Sequence, residues 1–154
     1  MRYLIDGHNL IPKLGMRLDA LDDEERLVEC LLTFCRLSRS QVEVFFDGAP
    51  PGQPASRSHG AVTARFVRKG FSADAAIETR LKRLGSGARD CSVVSSDRRV
   101  QAAGRAVHAR VVTAEEFAQR MLHVAEKKTS SPEETPLTPG EVEEWLSLFK
   151  ARNK

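Results

Sequence analysis

Three short apolar runs in this chain each close on an aspartate: YLID at Asp6, VFFD at Asp47 and VVSSD at Asp97. Continuous apolar runs of this length suit strands buried on both faces, since neighbouring side chains then meet core on either side. The stretches between them carry helical periodicity. Glu24–Ser38 places Leu27, Leu31, Phe34 and Leu37 on one stripe, with Leu32 and Cys35 beside it. Ser72 is placed to cap a helix running to about Leu84, and another helix follows Asp97 to about Ala106. Thr113-Ala114-Glu115-Glu116 reads as a capping box that opens a helix to about Ala125. Val62–Val67 alternates like an edge strand, and Arg110–Val112 reads as a last strand. Residues 12–22, APPGQPASRSHG and GSGARD are expected to be loops. Strands alternating with helices predict an α/β fold with a mainly parallel central sheet covered on both faces.

A chain of 154 residues suits one compact domain with a short appendage. The domain is expected over 1–126, a Lys-, Ser-, Pro- and Glu-rich linker over 127–137, and an amphipathic helix over 138–154. That helix opens on Thr138-Pro139-Gly140-Glu141 and aligns Val142, Trp145, Leu146 and Phe149 on one face. The face suits either the groove of a protein partner or the surface of its own domain. Cys30, Cys35 and Cys91 lack metal-ligand spacing and read as reduced core residues. No apolar stretch is long enough to span a bilayer and none reads as a leader peptide, so no membrane contact and a cytoplasmic location are expected.

The net charge of +3 is unevenly spread. Residues 57–110 hold twelve Lys or Arg against four Asp or Glu, whereas the segments on either side are acidic. Such a middle third is either a solvated helical surface or a footprint for phosphate.

Parallel strands point the same way, so acids at their carboxyl ends meet along one sheet edge. Asp6, Asp47 and Asp97 hold such positions, and Asp74 lies in the first turn of the helix beginning SADAAIE. Crowded carboxylates raise each other's pKa, and a divalent cation removes the conflict. An all-oxygen donor set suits Mg²⁺ or Mn²⁺, which can activate water beside a phosphate ester. Each acid has a plainer reading: Asp97 as a helix cap, Asp47-Gly48 as a turn. Glu78, one turn after Asp74, either joins the site or pairs with Lys82. Asn9, Ser95 and Ser96 can orient a carboxylate or touch phosphate without adding charge. His8 is a general base or a surface side chain. His59, His108 and His123 have no evident partners. Gly7 and Gly48 are expected to let the backbone turn sharply beside the acids.

The ordered set YLIDGHNLI, VFFDG, FSADAAIE, VVSSDRRV and TAEEF resembles the YacP-like NYN domain family of the PIN-like/FLAP nuclease superfamily. The motifs span about residues 1–125 and leave Trp145 outside. The resemblance implies a PIN-like three-layer α/β/α sandwich with sheet order 3-2-1-4-5, plus the C-terminal tail helix. It also implies a metal-dependent endoribonuclease leaving 5′-phosphate and 3′-hydroxyl ends. Asp6, Asp74, Asp97 and Asn9 correspond to the family's catalytic positions, with Asp47 as a further acid. Two positions depart from the pattern. His8 stands where a tyrosine is more frequent, and Ala75 where a second acid often follows Asp74. On this reading Mg²⁺ or Mn²⁺ sits on Asp6, Asp74, Asp97 and Asp47, supported by Ser96 and Glu78. The expected partner is RNA, free or ribosome-bound, its backbone held by Arg65, Arg68, Lys69, Arg98 and Arg99. Two rivals remain from the residues alone: a non-catalytic RNA-binding protein with this fold, and an Mg²⁺-dependent phosphatase acting on a small ester. The absence of a DxD pair after the first strand weighs against the phosphatase.

Overall fold

The computed structural model describes residues 1–14, 23–49, 52 and 54–129. Its strands are β1 (Arg2–Asp6), β2 (Gln41–Ala49), β3 (Ser56–His59), β4 (Val62–Arg68), β5 (Cys91–Val94) and β6 (Arg110–Val112). Its helices are α1 (Gly7–Leu10), α2 (Asp23–Ser38), α3 (Ala73–Leu84), α4 (Arg98–Ala106) and α5 (Ala114–Thr129), with 3-10 turns at Ile11–Leu14 and Gly85–Asp90. The expected C-terminal helix with Trp145, and the rest of the linker beyond Thr129, lie outside the described residues.

The sheet order is β3-β4-β2-β1-β5-β6. All neighbours are parallel except β3 and β4. Without β3 this is the expected 3-2-1-4-5 order. The chain direction across the sheet reverses at β1, which pairs with β2 on one side and β5 on the other. Ligands bind at the carboxyl edge beside such a switch point.

Alternate strand residues feed two cores. Tyr3, Ile5, Val42, Val44, Phe46 and Val94 face α2 and α5. Leu4, Phe45 and Val93 face α3 and α4. Tyr3, Phe34 and Phe117 lock strand to helices, with ring centroids 5.1–5.7 Å apart in edge-on or tilted contact, a favoured aromatic geometry. The three cysteines are buried and form no disulfide, as expected.

Several local expectations change. APPGQPASRSHG is not all loop: Ser56–His59 forms β3, antiparallel to β4, with every residue exposed. Val62–Arg68 is therefore an interior strand, not an edge. β2 does not stop at Asp47 but continues to Ala49 through a register shift after Phe46, with Gly48 at φ +73°. Asp47 thus sits on a bulge, a device that re-aims a side chain beside a site. Gly7 does not have positive φ among the glycines that do. It is needed because a Cβ there would collide with the Phe46 ring and the Phe45 carbonyl. Part of residues 12–22 forms the Ile11–Leu14 turn, which buries Ile11 and Leu14. GSGARD is a 3-10 turn and buries Ala88. Finally, α5 runs to Thr129, past the expected boundary at 126.

Candidate active site

The carboxyl edge is assembled from the ends of three strands, β1, β2 and β5, and the start of α3. β1 delivers Asp6, and α1 then turns Asn9 back towards β5. The Asn9 side-chain oxygen accepts the backbone N–H of Ser96 at 2.8 Å. Ser95 is fully buried, and its hydroxyl accepts the Asp97 N–H at 3.0 Å. Asp97 caps α4 by accepting the Arg99 N–H at 2.8 Å. Ser72 caps α3 through the Ala75 N–H at 3.1 Å, placing Asp74 in the first turn.

The expected acids do influence one another. Asp6 is buried, and burial with the charge of Asp74 raises its pKa to about 6; Asp47 adds to the rise, while the Asn9 N–H and His8 oppose it. Burial and Asp97 also raise Asp74, and Asp47 adds to this. A side-chain hydrogen bond with Asp6 and the charge of Arg99 act in the opposite direction. Crowding of this kind opposes full ionisation of both carboxyl groups, and a cation relieves it. The donor chemistry of Asp6, Asp74, Asp97 and the Asn9 amide therefore fits a hard divalent ion. Among the described residues, no three His, Cys, Asp or Glu side chains are spaced to grip one together.

Around this centre lie partners that local sequence did not reveal. His8 contacts Asp47 through Nδ1 at 2.6 Å and Glu24 through Nε2 at 2.8 Å. With a carboxylate at each nitrogen both must donate, so the ring is an imidazolium. The Glu24 hydrogen bond outweighs burial and, with Asp47, lifts its pKa to about 9. That charge state is opposite to what a general base needs. Glu115, from the TAEEF motif, accepts the Ser96 hydroxyl at 2.7 Å and meets Lys13 at 2.9 Å. Lys13 and then Ser96 hold its pKa down to about 2. The capping reading of that motif holds as expected: the Glu116 N–H donates to the Thr113 hydroxyl at 3.1 Å.

Glu78 points to neither the aspartates nor Lys82 for its hydrogen bonds. It takes a two-pronged contact from Arg99, at 2.7 and 3.2 Å, bridging α3 and α4. Arg65 is likewise engaged, donating to buried Glu43 at 2.7 Å. Arg68, Lys69 and Arg98 are exposed beside the edge.

The family model for the YacP-like NYN domain matches residues 3–147. The chain belongs to the YacP-like NYN domain family. The match reaches beyond the motif-bearing stretch and takes in Trp145. Two crystal structures of Rae1 (YacP) from Bacillus subtilis are similar to this NYN protein. One, of a point mutant, is 22% identical with a TM-score of 0.65, over 97% of this chain and 92% of that one. The other is 22% identical with a TM-score of 0.68, over 84% of this chain and 78% of that one. No curated protein sequence matches the chain. The structural likeness establishes the shared fold of the NYN domain.

Proposed function

We propose that this NYN protein is a metal-dependent endoribonuclease with its site at the Asp6–Asp74 pair. The observation that carries this reading is a buried carboxyl, Asp6, whose pKa burial, Asp74 and Asp47 raise to about 6, beside Asp74, which burial and Asp97 raise in turn, at the switch point of a parallel sheet. Stored carboxylate repulsion of this kind is characteristic of functional sites. Asp6, Asp74 and Asp97 would hold Mg²⁺ or Mn²⁺, with Asp47 as an outer member. A cation there supplies Lewis-acid activation of the scissile phosphate and of water.

The chain's own groups do the rest. Asn9 fixes the turn after β5, which sets the approach of Asp97. Ser96 is tied to Glu115 and orients that same turn. The Glu78–Arg99 pair fixes the spacing of α3 and α4, and hence of Asp74 and Asp97. Arg68, Lys69 and Arg98 hold the RNA backbone.

The test is cleavage of end-labelled RNA with Mn²⁺, Mg²⁺ or EDTA, beside Asp97→Asn. Asparagine still caps a helix, so α4 keeps its start while a charge is lost. The expected result is metal-dependent cutting, stopped by EDTA and lowered at least a hundredfold in the variant. One observation favours a second reading, a non-catalytic RNA binder: no described trio of side chains is spaced to grip a metal. RNA bound but left intact with either metal selects it.

A further inference from the structure

We propose that the cleft between α3 and the end of β4 is a subsite for single-stranded RNA, with a base stacked on Phe71 and phosphates held by Arg80 and Arg83. The identity of the strand rests on the ribonuclease reading; the cleft itself stands on separate observations.

Phe71 is 70% exposed, and apart from Met1 no other large hydrophobic side chain is exposed among the described residues. Its backbone is well held. Gly70 turns the chain at φ +100°, the Phe71 N–H donates to the Arg68 carbonyl at 3.0 Å, and Ser72 caps α3 next door. A ring presented on a fixed turn loses little freedom when a flat ligand covers it.

The ring borders a cleft of about 360 Å³. Ala75 and Ala76 keep the α3 wall low, and Phe66 contributes a second aromatic surface. The cations come from Arg65, Arg80 and Arg83, and no acidic residue lines the cleft among the described residues. Glu43 lies buried beneath. It accepts Arg65 at 2.7 Å and Arg80 at 2.9 and 3.1 Å. One carboxylate against two guanidinium groups leaves a positive surplus while fixing where both point. Arg83, exposed on the next turn, adds to it.

Aromatic faces flanked by arginines take unpaired bases and their phosphates, whereas bases inside a duplex are already stacked. A second cleft, on the α2 side, is lined by Glu24, Glu25 and Glu29 against Arg57 and His59, and this acidic excess opposes a polyanion. Phe71 lies three positions before Asp74. Positions 75, 76, 79 and 83 of α3 line the cleft, while Asp74 meets Asp6 and Glu78 meets Arg99. A strand leaving the cleft over the first turn of α3 therefore arrives at the aspartates.

The test uses the full chain in EDTA, so that RNA stays intact, and reads the fluorescence anisotropy of a labelled single-stranded oligoribonucleotide. Phe71→Ala is expected to weaken binding about tenfold or more, with Phe71→Trp retaining it. Arg83→Ala is expected to lower the salt slope of log K by about 0.7. Phe71 is exposed, so its variants should melt at the wild-type temperature. Equal affinity of Phe71→Ala and wild type overturns the subsite. So does a wild-type chain that binds no RNA, in which case the ring marks a protein contact. Phe71-dependent binding without metal-dependent cutting would overturn only the ribonuclease reading. Metal-dependent cutting with Phe71-independent binding would overturn only the subsite.

Discussion

Asn9 and Ser96 are 87 positions apart, yet one hydrogen bond of 2.8 Å joins the turn after β1 to the turn after β5. The bond spans the switch point of the sheet and fixes the distance between the two strand ends that carry Asp6 and Asp97.

Asn9→Ala leaves the Ser96 N–H without that acceptor. A part-buried donor left unpaired costs about 1–3 kcal/mol, which for a domain of this size is a fall in Tm of roughly 2–10 °C. Cleavage should fall further than stability explains, by at least tenfold at a temperature where the variant is fully folded. Parallel thermal melts and RNA cleavage rates check this.

Asp6 sets a trade between stability and activity. Its carboxyl has a pKa of about 6 in the fold, against 3.8 for the free group, because burial and Asp74 oppose its charge. The native state therefore holds this proton more tightly than the unfolded chain. Stability from this group is highest below about pH 4 and falls as pH rises to about 6, by up to about 3 kcal/mol. In EDTA at pH 7.5, Asp6→Asn should melt several degrees above wild type, and at pH 4 the difference should vanish. Cleavage should be abolished. Mn²⁺ should raise the Tm of wild type and leave Asp6→Asn unmoved, because only a bound ion stabilises by mass action.

His8 works in the opposite sense. Its pKa rises from 6.5 to about 9 because Glu24 and Asp47 favour the imidazolium over the cost of burial. The stabilisation is fully present below about pH 6.5 and is lost as pH rises through about 9. Its size is on the order of 1–3 kcal/mol. His8→Gln should flatten the melting profile across that window, whereas wild type should lose several degrees. Melting series from pH 6 to 10 on both proteins decide it.

Glu43 is buried, and burial pushes its pKa up. The hydrogen bonds from Arg80 and Arg65 outweigh this and hold it below the usual carboxylate range. Its contribution is present above the unfolded pKa near 4.5 and lost as pH falls below it. Glu43→Ala should cost about 1–3 kcal/mol at pH 7, less than a fully buried pair, because both arginines can turn to water. Chemical denaturation at pH 7 and pH 4 should show the difference shrinking in acid.

The strand ends were legible because their chemistry is local: an apolar run followed by Asp6, or by Ser95-Ser96-Asp97, carries its own signal. The Ser72 cap and the span of α3 were legible for the same reason. β3 was not, because Ser56–His59 is exposed throughout and held by main-chain bonds to β4, which leave no hydrophobic pattern. Glu43 was hidden inside VEVFF, where only its position over α3 shows that Arg80, 37 residues away, can reach it. His8 looked like a surface residue until α2 brought Glu24 beside it.

By itself, then, the order of apolar runs, caps and turns determined a layered α/β fold with a mainly parallel sheet and acids at its strand ends, while the strand order came from the family resemblance. The layers and the strand ends follow from burial and backbone bonding that neighbouring residues specify together. Only the tertiary structure decided the charge states and pairings. It made His8 a fixed cation, bound Glu78 to Arg99, and raised the pKa of Asp6 through burial and the charge of Asp74. Electrostatic energy depends on distance and on exclusion of water, and both are set by segments far apart in the chain.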